Sequence, residues 1–218
     1  TVLFGQTQVG ADLVGVGGYD LFGVSISIDS DGSHMAIGSR NSFDTGGVRT
    51  SGVHVYEYSD NNSDGTLTLN QVGETIFGEA KDDHSGSSVS IDSDGSHVAI
   101  GAFNNAGNGS ESGHVRVYEY SGGSWTQVGG DIDGEAAGDY SGKSVSIDSD
   151  GSHVAIGATG NDGTDSNAGH VRVYEYSSSS WTQVGVDIDG SAVNEEFGIS
   201  VSIDSDGSHV AIGGQEYS

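Results

Sequence analysis

The amino-acid sequence predicts an all-β fold, a β-propeller-like array of four-stranded antiparallel blades with about four 56-residue repeats, on three observations. The segment SVSIDSDGSHVAIG occurs at 88–101, 144–157 and 200–213, and a copy with two changes lies at 25–38. Apolar and polar residues alternate along these segments, which is typical of half-buried strands. The 218 residues include 38 glycines and no proline, which favours many tight turns, and no stretch has the apolar spacing of a helix.

The repeat length is defined by the first aspartate of each DSDG motif. Asp29, Asp92, Asp148 and Asp204 are spaced by 63, 56 and 56 residues, so the first unit carries an insertion. A fixed period of this length indicates a solenoid, a propeller or an array. We therefore treat 1–218 as a single repeat domain. Its units are about 9–71, 72–127, 128–183 and 184–218, of which the last is incomplete and is completed in one interpretation by a strand at 6–10.

Each unit is predicted to contain four short strands, as the third unit illustrates. The strands there are SVSID at 144–148, HVAIGA at 153–158, HVRVYEY at 170–176 and WTQVG at 181–185. The DSDG turn joins the first two strands, and its Asp-Gly pair supplies the positive φ that a tight hairpin needs. The third and fourth strands are joined by the short segment SSSS. The two remaining connections, 158–169 and 186–198, are long.

The two long connections are predicted to share one face of the array, because the strands of a meander alternate in direction. Loops on a rigid scaffold commonly carry function, and these loops are rich in acidic residues. DIDGE and DIDGS place carboxylates at alternating positions around a glycine, the oxygen ligands that Ca²⁺ prefers. We expect at most two such sites, in the last two units. Their candidate ligands are Asp131, Asp133, Glu135 and Asp139 in one, and Asp187, Asp189 and Glu195 in the other.

Two of these acidic residues have a second interpretation. Asp139 and Glu195 occupy a position that is acidic in every unit, where the side chain can accept backbone N–H groups and fix the loop. The DSDG aspartates are interpreted as turn formers, because two aspartates and a serine on a two-residue turn do not enclose Ca²⁺. Seven of the eight histidines recur at equivalent positions of the unit, at the start of the second strand or in or just before the third, and indicate repeated packing. The N-x-S sequences at Asn61 and Asn108 are candidate glycosylation sites in predicted loops.

The formal net charge of −26 restricts the partners. Phosphate groups would be repelled, so we expect no nucleic-acid partner. No apolar run is long enough to span a bilayer, so we expect no membrane insertion. The charge itself has two interpretations, a solvated acidic surface or a set of calcium sites, because bound cations relieve self-repulsion. Cysteine is absent, which excludes a disulfide framework.

The segment EFGISVSIDSDGSHVAIGG at 196–214, with Phe197-Gly198 and Gly213-Gly214, resembles the FG-GAP repeat family. LFG at 21–23 opens the first unit in the same way. The family builds the β-propeller of integrin alpha chains and of many bacterial and algal surface proteins. The resemblance covers all four units, although Ser85 and Ser141 replace the phenylalanine in the middle units and the proline of GAP is absent. The short DSDGS turn is similar to a bacterial subtype of the repeat with short loops.

The resemblance implies an extracellular, non-catalytic propeller, often with calcium in its loops. We therefore expect an extracellular or cell-surface module for adhesion or binding, not an enzyme. Its acidic face would engage an extracellular glycan or protein through bound Ca²⁺. The alternative is a structural subunit of an extracellular filament or sheath. Copies of the chain would then form a homo-polymer by sharing strands, since an exposed sheet edge invites pairing.

Overall fold

The structure, a computed structural model, describes residues 12–15, 20–40, 50–59 and 68–215. Within these ranges the strands are β1 (Phe22–Ile28), β2 (His34–Ser39), β3 (Gly52–Ser59), β4 (Thr68–Gln71), β5 (Ile76–Phe77), β6 (Ser88–Ile91), β7 (His97–Ala102), β8 (His114–Ser121), β9 (Ser124–Gln127), β10 (Ile132–Asp133), β11 (Ser141–Ile147), β12 (His153–Ala158), β13 (His170–Ser177), β14 (Ser180–Asp189), β15 (Ser200–Ile203) and β16 (Val210–Gly213). The same ranges contain no helix, and hence none long and apolar enough to cross a membrane.

The strands form four successive antiparallel sheets. The first follows the order β1-β2-β3-β4, with β5 also paired to β3, and the third follows β11-β12-β13-β14. In the second sheet β6, β7 and β8 are consecutive and β8 also pairs with β9 and β10, whereas the fourth sheet contains β15 and β16. The all-β class and the four-stranded antiparallel sheets are therefore confirmed. Among the described strands, no pairing joins the last sheet to the first.

The DSDG segment forms the predicted turn because its first aspartate closes the turn with hydrogen bonds. In the second sheet, Asp92 Oδ1 accepts the backbone N–H of His97 at 3.0 Å, and Asp92 Oδ2 accepts the hydroxyl of Ser96 at 3.0 Å. Gly95 has a φ of 76°, a conformation in which a side chain would be strained. The interpretation of these aspartates as turn formers is confirmed.

The apolar core lies between neighbouring sheets. Ala99 of β7 is fully buried and packs with Val145 and Ile147 of β11 in the next sheet. Ala155 of β12 packs in the same way with Ile203 of β15. A single sheet of this sequence has no second layer of its own, so each sheet depends on its neighbours for burial.

The fourth strand extends further than the sequence predicts. β14 continues to Asp189, and in the second sheet the corresponding stretch is divided into β9 and β10. Ile132 pairs with Val115 and Asp133 with His114. DIDGE and DIDGS, interpreted from the sequence as ion-binding loops, therefore contain strand residues, Ile132–Asp133 of β10 in the first and the end of β14 in the second. The sheets are also offset from the predicted units, which start at the end of a fourth strand; the division into units stays a prediction.

The two long connections of each repeat lie side by side, as predicted from strand direction. The backbone N–H of Gly138 donates to Ser110 O at 3.0 Å, and that of Tyr140 donates to Glu111 O at 3.0 Å. The equivalent hydrogen bond recurs 56 residues later, where the N–H of Asn194 donates to Ser166 O at 2.9 Å. We call the surface formed by residues 103–113, 134–140, 159–169 and 190–197 the long-loop face. It lies at the opposite strand ends from the DSDG turns.

Candidate functional site

The predicted calcium ligand Asp131 binds an arginine. Arg116 Nε and Nη2 donate to the two carboxylate oxygens of Asp131 at 2.8 and 2.7 Å, and Gln127 donates to the same carboxylate at 2.7 Å. Arg116 Nη2 also pairs with Glu79, which follows β5 of the first sheet. The hydrogen bond from Arg116 is the main reason that the pKa of Asp131 is lowered. An arginine therefore occupies the position expected for a cation.

The same arrangement recurs one repeat later. Arg172 donates to both oxygens of Asp187, at 2.9 and 2.7 Å, and pairs with Glu135. Asp131 and Glu135 consequently face different arginines, so the structure does not bring the predicted set around one point. The predicted grouping is corrected here: Glu135, which follows β10 of the second sheet, pairs with Arg172 of the third sheet, whereas Asp131 pairs with Arg116 of the second sheet.

The remaining predicted ligands lie apart from these arginines. Asp139 is buried and accepts the N–H of Ala136 at 2.9 Å, and Glu195 accepts the N–H groups of Ser191 and Ala192. Both side chains thus fix their loops, the alternative that the sequence left open. The exposed residues Asp133 and Asp189 end the strands β10 and β14.

Only one of the two glycosylation candidates lies within the described residues. Asn108 is exposed on the long-loop face, and its Nδ2 donates to Gly134 O at 2.8 Å. Asn61 lies outside the described residues. Both stay predictions.

Acidic and histidine side chains do form groups with the spacing of a metal site. Glu79, His114 and Asp131 place ligand atoms within 4.8 Å of one another, and so do Glu135, His170 and Asp187. In the turn of the last sheet, Asp204, Asp206 and His209 form a third group. His114 and His170 are about 96% and 97% buried, and neither Nδ1 has a hydrogen-bond partner among the described residues. Burial, followed by the charge of the adjacent arginine, lowers the pKa of both imidazoles.

The long-loop face also contains a cleft that the sequence did not predict. Its volume is about 490 Å³, within the range of small-molecule sites. It lies between the second, third and fourth repeats. The lining residues are His84, Phe103, Asn104, Glu111, Tyr140, Lys143, Thr159, Gly160, Asn167, Asn194 and Glu196. We call this feature the loop-face cleft.

The loop-face cleft is built from residues in the left-handed region of backbone conformation. His84, Tyr140 and Glu196 occupy equivalent repeat positions and have φ values of 59°, 55° and 46°. Glu111 and Asn167 form a second equivalent pair, at 59° and 49°. Such conformations are uncommon for residues with a side chain and cluster at functional sites. Equivalent positions of the repeat thus keep the same left-handed backbone conformation but carry different side chains.

Two cations converge on one aromatic ring beside the cleft. Lys143 Nζ lies 4.2 Å from the ring centroid of Phe103, and Arg40 Cζ lies 5.7 Å from it. Arg40 Nη2 is 3.1 Å from the ring nitrogens of His84. Burial, followed by the charge of Arg40, lowers the pKa of His84. Lys143 and Arg40 thus place two cationic side chains at this ring.

The opposite wall of the cleft is acidic and polar. The hydroxyl of Tyr140 donates to Glu111 Oε2 at 3.0 Å, and this hydrogen bond raises the pKa of Tyr140. Asn167 Nδ2 donates to Asn194 Oδ1 at 3.2 Å. The ring of Tyr140 also meets Phe103 edge-on, with centroids 6.1 Å apart. The cleft thus combines aromatic faces, amides and charges of both signs.

Comparison with known proteins gives structural similarities only. No family model matches the chain, and no curated protein matches it. The periplasmic gluconolactonase PpgL of Pseudomonas aeruginosa is 12% identical, with a TM-score of 0.44, and the match covers 86% of this chain and 64% of that one. A protein of Agrobacterium tumefaciens assigned to TolB is 15% identical, with a TM-score of 0.46, and the match covers 86% and 52%. The chain thus spans less than two thirds of either protein.

These comparisons correct two expectations from the sequence. One similar structure is a gluconolactonase, an enzyme, and neither protein is named as an adhesion module or a filament subunit. The expected non-catalytic adhesion function and its filament alternative were wrong, and so was the exclusion of enzymatic activity. At these identities and TM-scores, neither protein transfers an activity to this chain.

Proposed function

We propose that the loop-face cleft binds a small, hydroxylated and anionic ligand of the acidic-saccharide class. The observation that carries the proposal is the position of Lys143 and Arg40. The chain has six basic residues against 32 acidic ones, and two of the six meet at Phe103 beside the cleft. Arg116, Arg172 and Lys81 pair with carboxylates, whereas Lys143 and Arg40 form no ion pair with any carboxylate among the residues that the structure describes.

The chemistry of the walls supports this class of ligand. Small-molecule sites combine apolar surface with a few polar groups that fix orientation. The rings of Phe103 and Tyr140 offer faces for the C–H groups of a sugar. The side chains of Asn104, Thr159 and Asn194 offer donors and acceptors for hydroxyl groups. A carboxylate would pair with Lys143, which is held by the ring beneath it.

Isothermal titration calorimetry with galacturonate and galactose tests the proposal. We expect galacturonate to bind more tightly than galactose, because only galacturonate has a carboxylate for Lys143. Lys143→Ala should weaken galacturonate binding about tenfold, roughly the contribution of one charge-assisted contact, and should leave galactose binding almost unchanged. Phe103→Ala should weaken both.

Lys81→Ala is the matched control, since Lys81 is exposed and pairs with Asp82 outside the cleft lining. It should bind galacturonate as the wild type does. Absence of galacturonate binding, or equal affinity of the wild type and Lys143→Ala, would overturn the proposal. A proton NMR spectrum of the ligand after prolonged incubation also reports any chemical conversion.

The FG-GAP repeat type, the arrangement of the sheets as blades of a β-propeller and an extracellular or cell-surface location are further proposals. The succession of antiparallel sheets supports the first two. An extracellular glycan or protein as the wider partner is proposed on the same basis as the acidic saccharide. Images of the purified particle along its axis would count the blades.

Calcium is also a proposal. One imidazole nitrogen with carboxylates suits a softer ion such as Zn²⁺ better than Ca²⁺, and Arg116 and Arg172 already hold the carboxylates. We therefore propose Ca²⁺ for the acidic long-loop face as a whole and not for these two groups. Calorimetric titration with Ca²⁺ at matched ionic strength, and repeated with a chelator, tests it.

A further inference from the structure

The acidic groups around Arg116 and Arg172 each contain a buried imidazole with an unused nitrogen. His114 begins β8 and His170 begins β13, and these residues are 4% and 3% exposed. Within the described ranges of the chain, no hydrogen bond reaches either Nδ1. A buried polar atom is rarely left in this state, because it has given up its hydrogen bonds to water. Each nitrogen is therefore an available ligand atom.

The nearest carboxylates stand at the distance that separates two ligands of one ion. His114 Nδ1 lies 3.7 Å from Asp131 Oδ2, and a carboxylate oxygen of Glu79 lies within 4.8 Å of both atoms. A separation of 3.7 Å is too long for a hydrogen bond. It suits two atoms that share one Zn²⁺ ion, because Zn–N and Zn–O bonds are about 2.0–2.2 Å long.

The second group repeats this geometry 56 residues later. His170 Nδ1 lies 3.8 Å from Asp187 Oδ2, and Glu135 completes a group of the same size. Arg172 pairs with both of these carboxylates, as Arg116 does in the first group. The arrangement is thus a property of the repeat and not of one loop.

In the first sheet the whole set is replaced together. Gly52 occupies the position of the buried histidine, His54 that of the arginine and Thr75 that of the aspartate. His54 Nδ1 lies 3.1 Å from Thr75 Oγ1, so this imidazole has a partner. Across the part of the chain that the structure describes, a buried imidazole nitrogen lacks a partner only where the two carboxylates and the arginine accompany it.

The arginine does not balance the charge of its group. Arg116 faces the carboxylates of both Glu79 and Asp131, and two carboxylates against one guanidinium leave a net negative charge. Arg116 also directs its hydrogen bonds to Asp131 and leaves the imidazole nitrogen without one. A cation that accepts a nitrogen ligand would satisfy both the nitrogen and the remaining charge.

We propose that each group binds one divalent transition-metal ion of the Zn²⁺ class through the imidazole Nδ1 and the two carboxylates, with the fourth position left to solvent. Glu79 follows β5 of the first sheet, whereas His114 and Asp131 belong to the second sheet. The ion therefore links neighbouring sheets. Arg116 Nη2 contacts both carboxylates and has to withdraw from them, so the arginine and the ion compete for the site.

Calorimetric titration of the 218-residue chain with zinc chloride at fixed ionic strength tests the proposal. The wild type should bind two ions per chain, and excess Ca²⁺ should not displace them, because Ca²⁺ prefers oxygen ligands. X-ray absorption at the zinc edge should show one imidazole per ion. His114→Ala and His170→Ala should each retain one site, and the double variant neither. Arg116→Gln should bind zinc about tenfold more tightly at the first site, since the competing charge is removed.

His209→Ala is the matched control, because His209 is exposed and belongs to the separate group with Asp204 and Asp206; it should still bind two ions. Glu79→Gln replaces an exposed ligand and is the second variant should His114→Ala fail to fold, as judged by circular dichroism. It should weaken the first site about tenfold and leave the second unchanged. A wild type that binds no zinc overturns the proposal. So does a zinc spectrum without imidazole, or equal binding by the wild type and the double-histidine variant.

Discussion

His97 and Asp92 close the DSDG turn of the second sheet with a histidine–carboxylate contact. His97 Nδ1 lies 2.7 Å from Asp92 Oδ2, and Asp92 also accepts the backbone N–H of His97. The imidazole covers Gly151 of the next sheet, where a Cβ would lie 2.5 Å from the ring. One side chain thus stabilises its own turn and an inter-sheet contact.

This contact predicts a pH-dependent stability. The hydrogen bond with Asp92 raises the pKa of His97 above its usual 6.5. The contribution of protonated His97 is therefore complete below pH 6.5 and is lost as pH rises through the folded-state pKa. In urea denaturation, His97→Asn should lower the free energy of unfolding by about 1 kcal/mol more at pH 6 than at pH 9. A difference that is the same at both pH values would contradict the account.

Individual residues also show where prediction from the sequence ends. The DSDG aspartates were interpreted correctly because a turn depends on neighbouring residues. Asp131 and Glu135 were grouped wrongly because their partners, Arg116 and Arg172, lie on different sheets. Sequence spacing does not contain that information.

At the scale of the element, strand positions were predictable because alternation is a local pattern. β6, β7 and β8 fall where SVSI, HVAIGA and HVRVYEY predict them. β10 was missed because it is only two residues long and is separated from β9, which also pairs with β8, by residues 128–131. The loop-face cleft was missed because residues from three repeats form it. One signal was available: Leu21, His84, Tyr140 and Glu196 differ at an equivalent position beside nearly invariant strands.

The close approach of the sheets predicts the effect of one methyl group. Gly101→Ala places a Cβ 2.2 Å from the backbone oxygen of Gly142 and 2.3 Å from Ser88 Oγ. Because Gly142 belongs to the next sheet, the two sheets must separate, at a cost of about 2 kcal/mol. Urea denaturation measures this loss.

Gly130→Ala is the matched control for this prediction. A Cβ at Gly130 meets nothing within 4 Å, and its φ is not positive. The free energy of unfolding should change by less than about 0.5 kcal/mol. Equal effects of the two alanines would show that the sheets do not depend on this contact.

At the scale of the whole molecule, constant and variable positions have separate roles. The repeated segments form the contacts between sheets, whereas the positions that differ between repeats line the loop-face cleft. The cleft and the DSDG turns lie at opposite ends of the strands. In a chain of net charge −26, the pair of cations at Phe103 is the feature that distinguishes the cleft from the rest of the surface.

Mapping of amide chemical shifts by NMR during titration with galacturonate tests this separation most directly. The account predicts that shifts are confined to residues 84, 103, 140, 143 and 194 and their neighbours. The DSDG turns at 92–95 and 148–151 should not respond. Shifts at those turns, or no shifts at all, would contradict the assignment of ligand binding to the loop-face cleft.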